Sequence, residues 1–118
     1  MAEKTGYRAS TKYLIASPTK TRAVARVVKG ESCSEAMAVL ENMPQKGARL
    51  IRATMKSAIA SALNANNKLD EDMLIVKEVR VDEGPRLKRV WFRARDRADM
   101  LLKRMSHITV VVAEKAGE

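Results

Sequence analysis

The sequence predicts an α+β fold, with three helices packed on a small three-stranded antiparallel sheet and a long protruding β-hairpin. Two β-branched segments, 75–81 and 108–112, have the composition of strands. They flank a long charged connection, 84–106, and two strands joined in this way indicate an extended hairpin. Apolar residues with the helical period predict a core-facing stripe on the longest helix. They are Ile51, Met55, Ala58, Ile59 and Ala62.

The first part of the chain predicts an edge strand followed by a helix. Residues 7–15 end in an apolar run and are interpreted as the strand. Ser17 followed by Pro18 is typical of a helix start, with serine as the N-cap and proline at the first helical position. Gly30 is expected to end this helix in a left-handed conformation. The residues predicted to share its apolar face are Val24, Val27 and Val28.

Two more helices and two strands complete the predicted body. Ser32 and Glu35 form a capping-box pattern that opens the second helix. Pro44 is expected to start the third helix, which extends to about residue 64. An Asn- and Asp-rich turn at 64–72 leads to a strand at 73–81, and its partner strand follows at 107–113. The residues predicted to be buried in the second helix are Ala36, Val39 and Leu40.

Composition indicates one basic domain, residues 1–118, whose partner is a polyanion. A net charge of +9 favours phosphates, because neutralising them releases condensed counterions. No apolar run approaches the ~20 residues that span a bilayer, and the first residues lack the pattern of a signal peptide. The lone Cys33 fits a reducing cytoplasm. We therefore expect a cytoplasmic nucleic-acid-binding protein with no membrane partner and no homo-oligomer.

The connection 84–106, here called the arm, carries much of the charge. Between residues 85 and 104, eight basic residues stand against two acidic ones, which leaves six of the nine net positive charges. The guanidinium group of arginine binds phosphate through two hydrogen bonds at once and stacks on bases. Trp91 and Phe92 add flat apolar surfaces on which bases can stack. A long ribbon suits the irregular clefts of folded RNA better than a regular DNA groove. The arm residues expected to bind RNA are Arg86, Lys88, Arg89, Arg93, Arg95, Arg97, Lys103 and Arg104.

Two helices also carry basic stripes. A charged helix face is commonly just a solvated face, so spacing alone leaves RNA contact and simple solvation both open. The candidate residues are Lys20, Arg22, Arg26 and Lys29 on the first helix, and Arg49, Arg52 and Lys56 on the third.

The sequence lacks the parts of a catalytic or metal site. His107 and Cys33 are the only residues of their types, and spacing suggests no third group to orient them. His107 is therefore interpreted as a structural residue or a phosphate contact. The acidic run 70–72 is interpreted as a solvated turn. We expect no enzyme activity, no metal and no cofactor. The methionines expected to fill the core are Met37, Met55 and Met73.

Short motifs along the chain are similar to those of one known family. In the arm and its flanks they are 82–85, 87–89, 93–94, 97–99, 103–104 and 106–112. Before the arm they are Ser17, Pro18, Lys20, Arg22 and Gly30, then 57–60, Asn64 and Asn67. This set closely resembles the signature of the large-subunit ribosomal protein twenty-two family. The resemblance covers nearly the whole chain, and its hairpin part is highly specific.

The resemblance implies a structural protein that binds large-subunit ribosomal RNA and assists early subunit assembly. It implies contacts with neighbouring large-subunit proteins, an arm threaded between RNA helices, and a tip that meets the nascent polypeptide in the exit tunnel. His107 joins the RNA-binding set. The alternative is a free-standing RNA chaperone or regulator with the same arm. The residues of the implied tunnel tip are Trp91, Phe92, Arg93, Ala94, Arg95 and Asp96.

Three positions depart from the family pattern. Phe92 stands where proline is usual and Asp96 where glycine is usual, so the tip backbone is expected to differ from that of its relatives. Thr19 replaces a common basic residue and removes one possible phosphate contact from the first helix.

Overall fold

A computed structural model describes residues 6–65, 70–93 and 97–114. Three α-helices pack on a three-stranded antiparallel sheet, and a separate two-stranded antiparallel ribbon forms the arm. The predicted α+β class is therefore confirmed. In chain order the elements are β1 (Tyr7–Ile15), α1 (Pro18–Val28), α2 (Cys33–Asn42), α3 (Lys46–Ala65), a 3₁₀ turn (Glu71–Met73), β2 (Leu74–Glu83), β3 (Leu87–Arg93), β4 (Arg97–Lys103) and β5 (Met105–Glu114).

The central strand of the body is β5, which pairs with β1 on one side and β2 on the other. The expected edge position of β1 is confirmed. Alternate residues of β5 point to opposite faces, and Ile108, Val110 and Val112 are fully buried against the helices. The core-facing stripe predicted on α3 is confirmed, because Ile51, Met55, Ala58, Ile59 and Ala62 are all buried.

Local signals place the ends of the first two helices. Pro18 is the first residue of α1, as predicted, but the Ser17 side chain makes no capping hydrogen bond. Instead the Ser17 carbonyl accepts from both the backbone N–H and the hydroxyl of Thr21. Gly30 has φ +87°, which confirms the left-handed end. At the start of α2, Glu35 N–H donates to Ser32 Oγ and the serine hydroxyl donates to Glu35 Oε1 at 3.0 Å.

Three residues predicted to be buried are exposed instead. Val27 is 49% exposed, because α1 turns Thr21, Val24, Ala25 and Val28 toward the body. Val39 is 39% exposed, since α2 buries the side that carries Cys33, Ala36 and Leu40. Met73 is 46% exposed, because the 3₁₀ turn holds it outside the sheet that begins at Leu74. The errors at Val27 and Val39 concern the direction of a helix's buried face, whereas Met73 lies in the 3₁₀ turn and not in the predicted strand.

Several predicted boundaries shift by a residue or two. The third helix begins at Lys46, after Pro44. The strand predicted at 73–81 is Leu74–Glu83, and its partner predicted at 107–113 is Met105–Glu114. Part of the predicted turn, 66–69, lies outside the described residues.

The arm continues from β2 and β5 but is a separate sheet. Its strands pair only with each other, from Leu87 opposite Lys103 to Arg93 opposite Arg97. Residues 84–86 and Arg104 interrupt the ladders between body and arm, and Gly84 N–H donates to the Met105 carbonyl at 2.8 Å. The molecule is elongated as a result, with principal extents of 67 × 31 × 20 Å.

Candidate nucleic-acid interface

Four cations of the described residues line a cleft between α1 and β2. The cleft has a volume of about 260 Å³, and its cations are Arg22, Arg26, Lys29 and Arg80. Ala25, Val79 and Val81 supply apolar lining. The structure thus brings together three predicted α1 residues and adds Arg80. Sequence reasoning missed Arg80, because a basic residue in a strand does not indicate which helix will pack beside that strand.

Two of these four cations are held by neighbouring groups. Arg22 Nε donates to the Val81 carbonyl at 2.9 Å and so ties α1 to β2. Arg80 forms ion pairs with Asp82 at 3.3 Å and Glu78 at 4.0 Å. Arg26 and Lys29 are exposed on the last turn of α1 and on the residue after it. They are the cleft cations best placed to meet an incoming phosphate.

Two further depressions hold the remaining helical candidates. Arg49, Arg52 and Lys56 line one of about 220 Å³ on α3, together with Ala53. Lys20 lines another, of about 420 Å³, between the starts of α1 and α3. Lys46 also lines that depression and donates to the Ile15 carbonyl at 2.6 Å. Lys46 is a further residue that the sequence reasoning missed, because its place beside β1 depends on tertiary packing.

An ion-pair cluster marks the base of the arm. Arg86 donates to Glu83 Oε2 from Nη2 at 2.7 Å and from Nε at 3.2 Å, and Arg104 Nη1 lies 3.8 Å from the same oxygen. The hydrogen bonds and charge of Arg86, with smaller effects from Arg104 and Arg22, lower the pKa of Glu83 below its usual 4.5. One carboxylate therefore orients two predicted RNA-binding arginines.

His107 has intramolecular partners on two sides. Its Nδ1 accepts a hydrogen bond from the Tyr13 backbone N–H at 3.0 Å, and the two rings pack edge to face with centroids 4.9 Å apart. A methyl group added at Gly84 would lie 3.1 Å from His107 Cε1, so the chain turns into the arm directly against this ring. These contacts favour the structural interpretation of His107; its predicted RNA contact stays a prediction.

The register of the arm separates two kinds of residue. Odd-numbered residues pair with odd-numbered ones, which places Arg89, Arg93 and Arg97 at positions of one face. Even-numbered positions are mostly apolar, and Val90 and Leu102 on that face are 53% and 39% exposed. Lys88 and Lys103 are also exposed, one on each face. Of the predicted tip, the backbone of Trp91, Phe92 and Arg93 lies in β3, whereas Ala94, Arg95 and Asp96 lie outside the described residues.

Among the same described residues, no cluster of three or more His, Cys, Asp or Glu side chains is placed to hold a metal ion. Within that part of the chain, no helix has the length and apolar character to cross a membrane.

Comparisons with known proteins give one result. The family model for ribosomal protein L22p/L17e matches residues 9–113. The chain is 70% identical over 118 residues to a protein of Treponema denticola named large ribosomal subunit protein uL22, and the alignment covers both chains fully. It is 56% identical over 114 residues to a Treponema pallidum protein of the same name, covering 97% of this chain and 92% of that one. A Thermosipho africanus protein, also of that name, is 50% identical over 94% of this chain and 74% of its own length.

Proposed function

The chain belongs to the ribosomal protein L22p/L17e family, and we propose that it binds large-subunit ribosomal RNA, assists early assembly of that subunit and lines the nascent-peptide tunnel with its arm. Family membership makes the protein a structural component of the ribosome and not an enzyme. Its place in the cell is therefore the ribosome.

The observation that carries RNA binding is the cleft between α1 and β2. Four exposed cations line one concave surface, and two of them, Arg26 and Lys29, lie at the end of α1. Such a surface neutralises several phosphates at once, and each phosphate releases counterions. The apolar lining from Ala25 and Val79 gives the sugar or base beside that phosphate a surface to pack on. The name given to the relatives supports the large subunit as the source of the RNA.

The arm extends the same function away from the body. Residues 1–118 form a single RNA-binding domain, and 84–106 reach into the RNA as its arm. The separate β3–β4 ladder supports this division, because a two-stranded ribbon has no core of its own and needs a surface to lie on. Its arginine positions suit phosphates, and its exposed Val90 and Leu102 suit bases or a neighbouring ribosomal protein. The tip, 91–96, meets the nascent polypeptide.

The cleft is tested by removing Arg26 and Lys29 separately. Arg26→Ala and Lys29→Ala should each weaken binding to large-subunit ribosomal RNA and reduce the slope of log K against log salt by about 0.7–0.9, one phosphate each. Arg22 is left intact, because its bond to Val81 holds α1 on the sheet. The measurement is equilibrium binding at four or more salt concentrations.

Arg8→Ala is the matched control, since it removes one exposed cation of β1 from outside the predicted set. Its salt slope should equal that of the unmodified protein. Equal slopes for all three variants and the unmodified protein would contradict the assignment of the cleft.

A further inference from the structure

Tyr13 occupies an irregular point of β1 where the chain departs from the regular ladder. Thr11 pairs with Ile108 and Leu14 pairs with Ser106, so Lys12 and Tyr13 stand opposite the single residue His107. This two-against-one arrangement is a β-bulge, a feature that redirects side chains at binding sites. Tyr13 has φ +61°, the only positive φ of a non-glycine residue in the described part of the chain. A tyrosine rarely adopts this conformation unless its surroundings hold it there.

The surroundings of Tyr13 do hold it. Its backbone N–H donates to His107 Nδ1, which leaves the proton of a neutral imidazole on Nε2. The edge-to-face contact with His107 fixes the angle of the tyrosine ring. Gly84 lets the chain pass close behind the imidazole. His107 is thus a positioning residue that braces Tyr13 from the central strand.

The braced ring is nevertheless 62% exposed. The chain has only four aromatic residues, and this one is held in strain without being buried. Lys12 precedes it, and β5 beside it leads directly from Arg104 at the arm base. A flat ring with a fixed orientation in a basic neighbourhood has the chemistry of a stacking surface for a nucleobase.

We propose that Tyr13 is a stacking platform for one unpaired base of the bound RNA. The proposal rests on the proposed RNA-binding function and adds a base contact that does not depend on charge. The base stacks on the exposed part of the tyrosine ring, while neighbouring phosphates meet the cations of the arm base. Charge complementarity favours RNA over a protein partner here, because the chain carries +9 overall and the carboxylates of Asp82 and Glu83, on the strand beyond His107, are paired with arginines.

The test compares two substitutions in the full-length chain. Tyr13→Phe keeps the ring, and its affinity for large-subunit ribosomal RNA should stay within about twofold of the unmodified protein. Tyr13→Asn removes the ring but keeps a residue that enters the left-handed region readily, so the bulge is preserved. Its affinity should fall roughly 5- to 150-fold, the loss measured for one stacked base. The salt slope should not change, because no phosphate contact is lost.

Unchanged affinity of Tyr13→Asn would overturn the proposal. A second measurement covers the case in which this variant melts at a lower temperature. The unmodified protein is photocrosslinked to ribosomal RNA containing 4-thiouridine, and the crosslinked peptides are mapped. A crosslink at Tyr13 supports the platform. Crosslinks in the arm without one at Tyr13 overturn the proposal. They would indicate that the Tyr13 ring contacts a protein instead. If the unmodified protein does not bind the RNA at all, the proposed RNA-binding function itself is contradicted, and the Tyr13 proposal falls with it.

Discussion

Acidic residues near the arm base hold neighbouring arginines in place. Glu83 binds Arg86 and Arg104, and Asp82 binds Arg80, so each of these arginines is already oriented for the RNA contacts that we propose. Ion pairs this exposed contribute little to folding. Their effect is to restrict long side chains that would otherwise lose entropy on binding.

Glu83 gives the clearest dependence on pH. Its folded-state pKa lies below 4.5, so its contribution to stability is present at neutral pH and is lost as the pH falls below that value. Glu83→Gln lacks this contribution at every pH. Thermal melts should therefore show a lower Tm for Glu83→Gln at pH 7 and a smaller difference from the unmodified protein at pH 3.

Glu41→Gln, an exposed change on α2, corrects for the loss of one negative charge elsewhere. After this correction, the Tm difference between Glu83→Gln and the unmodified protein could stay constant from pH 7 to pH 3. That result would mean that Arg86 does not stabilise the Glu83 carboxylate in solution.

At the scale of elements, α1 joins the core and the cleft. Its buried face packs on β2, and its C-terminal end supplies Arg26 and Lys29 to the cleft. Val28 and Val27 are adjacent in sequence, yet one is fully buried and the other is 49% exposed. They form a natural pair for testing the rotation of this helix about its axis.

Val28→Ala should lower the free energy of unfolding by about 2 kcal/mol or more, because two buried methyl groups are lost and a cavity remains. Val27→Ala should change it by less than about 0.5 kcal/mol. Urea unfolding of both variants measures the difference. Similar losses for the two would show that α1 is rotated from the described orientation.

Local signals predicted some elements well for identifiable physical reasons. Gly30 and the Ser32–Glu35 pair act within a few residues, and the stripe on α3 follows from helical period alone. The exposure of Val27 could not be predicted in this way, because the position of the sheet decides which face of α1 is buried. The same holds for Arg80 and Lys46, whose functional places depend on elements distant in sequence. No sequence pattern predicts the β-bulge at Tyr13.

The whole molecule divides into a packed body and an arm with its own ladder. Deletion of residues 89–97 removes most of β3 and the tip, and the described core residues all lie outside this segment. The remaining chain should melt cooperatively, and its affinity for large-subunit ribosomal RNA should fall. Calorimetry and RNA binding measure the two effects. Loss of the cooperative transition would show that arm and body fold as one unit.

The arm arginines supply a second test at this scale. Replacing Arg93, Arg95 and Arg97 together by alanine should weaken binding to ribosomal RNA and reduce the salt slope by up to about 2–3, since up to three phosphate contacts are lost. An unchanged slope would mean that these side chains face solvent or the tunnel.

We propose above all that this chain works as an RNA-binding part of the large ribosomal subunit. The most direct measurement is sedimentation of the tagged full-length chain from bacteria in which it replaces the resident relative, in a high-salt gradient. We expect one tagged chain per large subunit, retained through the gradient. Tagged protein at the top of the gradient, bound to diverse RNAs and absent from large subunits, would contradict it and favour a free-standing RNA chaperone or regulator.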